Sequence, residues 1–90
     1  MITAFVRHTV ADYAKWREGF DANEPARRAA GATGVKQVYR DLEDPNIITV
    51  LLEWDSADNA QRFFQDPKTA ELMAAAGVNS VPDAHLLNRA

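Results

Sequence analysis

The sequence predicts an α+β fold of the ferredoxin-like βαββαβ type, in which a four-stranded antiparallel sheet carries its helices on one face. A unit made of an apolar strand, a helix interrupted by proline, an alanine-rich turn ending in glycine and a second strand occurs twice, over residues 3–40 and 47–88. Turn-forming residues at Glu43–Asn46 join the units as a hairpin. The length of 90 residues and the 47% hydrophobic content suit one core, so we predict a single domain over residues 1–90.

The first unit opens with a strand over residues 2–10, where β-branched and aromatic residues alternate with others. Asp12 is the predicted N-cap of the helix that follows. Three aromatic residues of that helix, Tyr13, Trp16 and Phe20, are spaced i, i+3 and i+7, which places their rings on one helical face.

Proline and glycine set the remaining limits of the first unit. Pro25 has no backbone N–H and crowds the preceding turn, so the helix must end or kink near Asn23 and restart. Gly31 is suited to end the restarted helix in a left-handed conformation. The stretch from Thr33 to Leu42 is the predicted second strand.

The second unit repeats this plan. Its first strand, Ile47–Trp54, is almost continuously apolar, and Asp55 or Ser56 is the expected cap of the next helix. Pro67 restarts that helix. Gly77 ends the restarted helix, and residues 83–88 form the last strand.

Side-chain alternation assigns the two faces of the sheet. On strand three Ile48, Val50, Leu52 and Trp54 share one side, which we expect to meet the helices, and His8 belongs to the matching side of strand one. The other side is also rich in apolar residues. Since all the helices are needed on one face, we expect a second copy of the chain to cover the other, giving a homodimer. Glu53 is an expected interface or rim residue, with Arg40 as a candidate ion-pair partner.

Composition excludes several classes of function. The chain has no cysteine and a net charge of −3, so neither thiolate chemistry nor binding to nucleic acid or anionic lipid is expected. The pair Arg27-Arg28 is interpreted as part of a solvated helix face. Because Arg7 and His8 interrupt the N-terminal apolar run, we expect neither a signal peptide nor a membrane span, and predict a cytoplasmic protein.

Four motifs carry a resemblance to a known family. They are R-H-x-V-x-D-Y-x-x-W at residues 7–16, A-A-G at residues 29–31, L-L-E-W-D at residues 51–55, and A-x-x-F-F-x-D-P with A-A-G-V over residues 60–78. With these motifs the chain resembles the dimeric α+β barrel superfamily, in particular small proteins similar to antibiotic biosynthesis monooxygenases and often described as cyclase-like or uncharacterised.

The resemblance implies a homodimer whose two sheets pack face to face, with a pocket between the sheet and the helices of each subunit. Members of the superfamily use this pocket for oxygenation of aromatic polyketides, for isomerisation, for haem chemistry, or for no known reaction. The cofactor-free oxygenases carry a tryptophan at the end of strand three, which Trp54 matches. They also tend to carry a histidine in helix two, where this chain has residues 60–64 without one.

His8 is the candidate catalytic base, because an imidazole titrates near neutral pH and can accept a proton from a phenol or an acidic C–H group. The alternative is a structural histidine bonded to a backbone carbonyl or to Asp12. Tyr39 is a second catalytic candidate, as a donor to a substrate oxygen. A metal site between His8 and His85 is not favoured, because two imidazoles without a third ligand hold a metal poorly.

Substrate contacts are assigned to aromatic side chains that could stack on a planar ligand, with ordinary core packing as the alternative. They are Trp16, Phe20, Trp54 and Phe64. Two hypotheses follow. The first is a small cofactor-independent monooxygenase, cyclase or isomerase that acts on an aromatic or polyketide-like molecule. The second, favoured by the absent helix-two histidine, is a non-catalytic homodimer that binds a hydrophobic small molecule or only itself.

Overall fold

The computed structural model describes all 90 residues and contains one sheet and four helices. The elements, in chain order, are β1 (Ile2–Thr9), α1 (Tyr13–Ala22), α2 (Glu24–Ala30), β2 (Ala32–Arg40), β3 (Ile47–Trp54), α3 (Ala57–Gln65), α4 (Pro67–Ala75) and β4 (Asp83–Leu87). The strand order is β2-β3-β1-β4, and each pair of neighbouring strands is antiparallel. The predicted ferredoxin-like α+β topology is confirmed.

Each predicted helix is divided at its proline. Pro25 and Pro67 lie in the first turns of α2 and α4, where the missing N–H removes no intrahelical hydrogen bond. Asp12 caps α1 by accepting from the Lys15 N–H. Ser56, rather than Asp55, caps α3, because its hydroxyl accepts from the Asn59 N–H at 3.2 Å.

The strand limits differ slightly from the predicted ones. The second strand ends at Arg40 instead of Leu42, because the Asp41 carboxylate accepts from the backbone N–H groups of Glu43 and Asp44 and turns the chain. The first strand ends at Thr9, and Val10 forms a separate bridge with Val78. Gly31 and Gly77 have φ of 125° and 96°, as their predicted role at helix ends requires.

The core lies between the sheet and the helices. The inward-facing side chains of β3 (Ile48, Val50, Leu52 and Trp54) are all buried, as predicted from alternation, and Ala4 and Val6 of β1 are buried beside them. Trp16 and Phe20 of α1 pack on this face, together with Ala60 of α3 and Ala76 after α4. None of the four helices has the length and apolar character that spanning a membrane requires.

The outward face of the sheet is free of helices and is mixed in character. Phe5 pairs with Leu51 and Thr3 with Leu87 on this face, and Leu87 and Tyr39 are 45% and 52% exposed. Glu53 also lies here, where it accepts from the Thr33 hydroxyl at 2.9 Å.

The predicted pairing of Glu53 with Arg40 is wrong. Arg40 lies opposite Ile48 and turns toward the helices, where its guanidinium carbon is 4.1 Å from the centroid of the Tyr13 ring. Its Nε donates to the Pro45 carbonyl at 3.0 Å. Residues two apart on a strand share a face, so Arg40 lies on the inward face with Val38. Tyr39, which lies between them, is on the outward face.

Candidate functional site

A cavity of about 60 Å³ lies between the inward face of the sheet and the helices. Most of the side chains around it are apolar and come from β1, β3 and all four helices. Four polar side chains also reach it, namely His8, Asn23, Arg27 and Thr69. An apolar cavity with a few converging polar groups is the usual form of a small-molecule site.

His8 is buried on the inward face of β1, with 5% of its surface exposed. Its ring meets Trp16 edge to face, with 5.7 Å between the ring centroids. The Nδ1 atom is buried and has no hydrogen-bond partner. Burial disfavours the charged imidazolium and so lowers the pKa of His8 from its ordinary value, which leaves the ring neutral and able to accept a proton.

His8 does not form the alternative hydrogen bond to Asp12. The Asp12 carboxylate accepts from the Lys15 N–H at the start of α1. The alternative of a bond to a backbone carbonyl is met only in part, because the backbone of His8 itself raises the pKa of the ring by less than burial lowers it, and Nδ1 makes no hydrogen bond of normal geometry.

An aromatic wall extends from His8 along α1. The rings of Trp16 and Phe20 are stacked, with centroids 4.9 Å apart and an interplanar angle of 23°. Both residues line the cavity, because their spacing of four residues places them on the same helical face. We use the name α1 wall for Trp16 and Phe20.

Arg27 continues the α1 wall, although the sequence analysis placed it on a solvated face. That prediction is wrong: Arg27 is only 5% exposed, whereas its neighbour Arg28 is exposed. The guanidinium carbon lies 3.9 Å from the centroid of the Phe20 ring, and Nη1 donates to the Phe20 carbonyl at 2.8 Å. Because the helix breaks between Phe20 and Arg27, helical spacing from Phe20 does not indicate which of the two arginines faces inward.

The opposite side of the cavity is formed by Phe63 and Phe64 of α3 together with α4. Phe64 lines the cavity as predicted. Trp54 does not: it is completely buried behind the two phenylalanines, with its ring centroid 5.2 Å from that of Phe63 and 5.8 Å from that of Phe64. Trp54 therefore packs behind Phe63 and Phe64 and does not face the cavity.

Tyr39 and His85 lie away from this cavity. Tyr39 pairs with Thr49 on the outward face of the sheet, and its hydroxyl donates to Gln37 at 3.1 Å. His85 pairs with Phe5 on the same outward face, and its Nε2 is 2.8 Å from a carboxylate oxygen of Asp83. The structure thus brings His8 together with Trp16, Phe20 and Phe64, but not with Tyr39, Trp54 or His85.

No group of three or more histidine, aspartate or glutamate side chains is close enough together to hold a metal ion. His8 and His85 are on opposite faces of the sheet, so they cannot contact a common ion.

A larger cleft of about 590 Å³ adjoins the cavity. It lies between α4 and the chain that enters β4, and four residues line both spaces, namely Val6, Phe64, Thr69 and Met73. Asn79 and Ser80 add polar groups to the cleft. Thr9 holds this segment against the end of β1, because its N–H donates to the Ser80 hydroxyl at 2.9 Å and its hydroxyl bonds to Asn79.

Neither a protein-family model nor a curated protein matches the sequence. Solved structures do match the fold. A protein from Bordetella bronchiseptica assigned as an antibiotic biosynthesis monooxygenase aligns with a TM-score of 0.81 and 21% identity, over 99% of this chain and 96% of its own.

Two further structures align over most of both chains. SnoaB, a cofactor-independent oxygenase from Streptomyces nogalater, has a TM-score of 0.73 and 20% identity, over 99% of this chain and 92% of its own. A protein from Deinococcus radiodurans, also assigned as an antibiotic biosynthesis monooxygenase, has a TM-score of 0.71 and 16% identity, over 100% and 93% of the two chains. The chain therefore has the fold of the antibiotic biosynthesis monooxygenase-like proteins, as its sequence motifs predict.

Proposed function

We propose that this protein is a small cofactor-independent enzyme that acts on an aromatic or polyketide-like molecule bound between the sheet and the helices. The observation that carries the proposal is the buried imidazole of His8 with an unpaired Nδ1, set at one end of an aromatic wall, where burial lowers its pKa. A planar ligand can pack against the edges of the α1 wall while His8 accepts its proton.

Oxygenation is the reaction we favour, because the fold is shared with SnoaB, which is a cofactor-independent oxygenase. His8 takes a proton from a CH₂ group that lies between aromatic or carbonyl groups, and the resulting carbanion gives one electron to O₂. The carbon radical and superoxide then form a C–O bond and, with the proton returned, a hydroperoxide. Loss of water leaves a C=O group, so CH₂ and O₂ become C=O and H₂O.

The volumes of the two spaces suggest how such a substrate would be held. The inner cavity of about 60 Å³ is smaller than the range of roughly 300–1,000 Å³ that is common for ligand pockets. The adjoining cleft of about 590 Å³ is within that range. We therefore assign only the reacting group to the inner cavity, beside His8, and the remainder of the molecule to the cleft. The proposal gives Tyr39 and Trp54 no contact with the substrate.

A homodimer is part of the same proposal. The outward face of the sheet presents Phe5, Leu51, Tyr39 and Leu87 without a covering helix, and a second copy of the chain could bury them by face-to-face packing of the two sheets. Covering this face leaves the cavity on the other side of the sheet accessible. We place this homodimer in the cytoplasm, in keeping with the sequence prediction.

A non-catalytic binding protein is the second candidate. The small inner cavity favours it, as does Ala60 of α3, which is fully buried and gives this helix no titratable group at the sheet. The two candidates differ in whether His8 changes turnover or only binding.

The test is oxygen consumption with an anthrone, whose activated CH₂ group suits the proposed reaction, measured with the unaltered protein and with His8→Gln. We expect His8→Gln to lower the rate at least about a hundredfold, the upper range for loss of a general base being about 10⁴. The control is His85→Gln, which changes the histidine on the outward face, away from the cavity, and should keep the full rate while the homodimer is retained. An equal rate in a folded His8→Gln protein would reject the base assignment, and stoichiometric binding without oxygen uptake would favour the second candidate.

A further inference from the structure

Arg27 carries a buried charge that forms no direct ion pair. One of its terminal nitrogens, Nη1, donates to the Phe20 carbonyl, while the other, Nη2, is buried without any hydrogen-bond partner. Arginine presents five N–H donors and is normally buried only when these are satisfied by carboxylates, carbonyls or water. An unpaired guanidinium nitrogen beside a cavity therefore requires an explanation.

The neighbouring carboxylates are already paired with other cations. Glu24 forms an ion pair with Lys36, and Asp21 accepts from Arg17 Nε at 3.1 Å. Lys36 Nζ and the Arg17 guanidinium carbon also lie 6.0 and 5.8 Å from the centroid of the Phe20 ring. Three cations thus surround this ring, and only two of them have an ion-pair partner.

Burial lowers the pKa of Arg27 from its ordinary value, although a guanidinium remains charged at any physiological pH. The charges of Glu24 and Asp21 raise this pKa by less than burial lowers it, and neither carboxylate forms an ion pair with the guanidinium. A buried charge without a direct partner is unfavourable unless an opposite charge is brought to it. An anion that enters the cavity would supply that charge and would also occupy the free Nη2 donor.

Arg27 and the proposed base, His8, line the same cavity. His8 contacts Trp16, Trp16 is stacked on Phe20, and Phe20 lies under the guanidinium of Arg27. The imidazole and the guanidinium are therefore at the two ends of the α1 wall, and both line the same cavity. A planar ligand on this wall has one end at the base and the other end at the cation.

We propose that Arg27 is a specificity-determining residue that selects planar aromatic carboxylates, by donating from Nη2 to the carboxylate of a ligand held in the cavity against the α1 wall. This deepens the proposed function and depends on it for the location of the ligand. The carboxylate faces Arg27, and the carbon atom that reacts faces His8. Neutral molecules of the same shape leave the guanidinium unpaired and bind more weakly.

The test measures the binding of benzoate and of the neutral benzamide to the unaltered protein. Isothermal titration calorimetry gives the two affinities, and NMR shifts of the Trp16 indole report binding beside the α1 wall. We expect benzoate to bind at least about tenfold more tightly than benzamide. Arg27→Gln should remove this preference by weakening benzoate alone. Arg28→Gln is the matched control, because it removes an adjacent but exposed arginine and should keep the preference.

Equal affinity for the two ligands, or no binding of benzoate at millimolar concentration, would overturn the proposal without any need for a variant. So would a benzoate affinity that is unchanged in a folded Arg27→Gln protein. The outcome is independent of turnover: a benzoate preference without oxygen uptake would retain the carboxylate site and reject the oxygenase. If oxygen uptake requires His8 but the protein shows no preference for benzoate, the oxygenase is retained and the carboxylate site is rejected.

Discussion

The guanidinium carbon of Arg27 lies 3.9 Å from the centroid of the Phe20 ring, and its Nη1 donates to the carbonyl of the same residue. This contact exists because Pro25 ends the continuous helix. Phe20 is near the end of α1, where carbonyls lose their intrahelical partners, and the restarted helix α2 turns Arg27 back toward it. One side chain thereby caps α1 and places a cation at the cavity.

Replacing Arg27 with methionine should change the free energy of unfolding by no more than about 1 kcal/mol. The hydrogen bond to Phe20 and the contact with its ring together stabilise the protein by roughly 2–5 kcal/mol, while desolvation of the unpaired charge costs a similar amount. Urea unfolding followed by Trp fluorescence measures the difference. A loss above about 3 kcal/mol would show that Arg27 is retained for stability, rather than for a ligand.

Arg27 also shows where sequence-based prediction stops. The strand order, the helix breaks at Pro25 and Pro67 and the buried face of β3 all follow from local chemistry and alternation. Adjacent helical residues point about 100° apart, so Arg27 and Arg28 cannot share a face. Which one turns inward depends on how α2 is oriented after the break, and this orientation is set by tertiary packing.

Tyr39 illustrates a second limit. Its face depends on the register between β2 and β3, which shifts between Ala32 and Lys36. A shift of one residue reverses every side chain of a strand, so composition alone cannot assign Tyr39 to the cavity or to the outward face. His8 was predictable, because β1 is regular and its alternation with Ala4 and Val6 continues to the end of the strand.

His8 should make stability depend on pH. Its folded-state pKa is lowered from the ordinary value of 6.5 by burial, so the unfolded chain binds the proton more readily. The stabilisation from the neutral ring is complete above pH 6.5 and is lost as pH falls below it. Between about pH 7 and pH 5 the unaltered protein should lose stability more steeply than His8→Gln, by at most about 1.4 kcal/mol per pH unit.

Urea midpoints across this range measure the two slopes. Identical slopes for the unaltered protein and His8→Gln would mean that the imidazole is not desolvated.

Leu51→Asp should dissociate the proposed homodimer. Leu51 is half-buried on the outward face of the sheet, opposite Phe5, and a carboxylate there would be buried without a partner in a sheet-to-sheet interface. We expect dimer affinity to fall at least about a hundredfold, measured by sedimentation velocity at micromolar concentration. Leu42→Asp makes the same change at a fully exposed site in the loop between β2 and β3, and should leave the dimer intact. A monomeric unaltered protein would contradict the dimer itself.

Gly19→Ala should destabilise the protein, although alanine is normally the better helix residue by about 1 kcal/mol. Gly19 lies within α1, and a methyl group at this position would come within 2.9 Å of the Ala76 Cβ, which is too close for two carbon atoms. Ala76 is buried and lines the cavity, so the chain has little room to move away. Overpacking of this kind costs roughly 1–3 kcal/mol, which exceeds the gain in helix propensity, and we expect a net loss of about 1 kcal/mol.

The companion change Ala76→Gly removes the methyl group that Gly19→Ala would meet. Ala76→Gly should be destabilising alone, because it removes a buried methyl group at the end of α4, yet the double variant should be more stable than the sum of the two single effects. A double-mutant cycle from urea unfolding measures this coupling, with at least about 0.5 kcal/mol expected for groups in direct contact. If Gly19→Ala raises stability and the cycle shows no coupling, the close approach of α1 to the end of α4 is not present in solution.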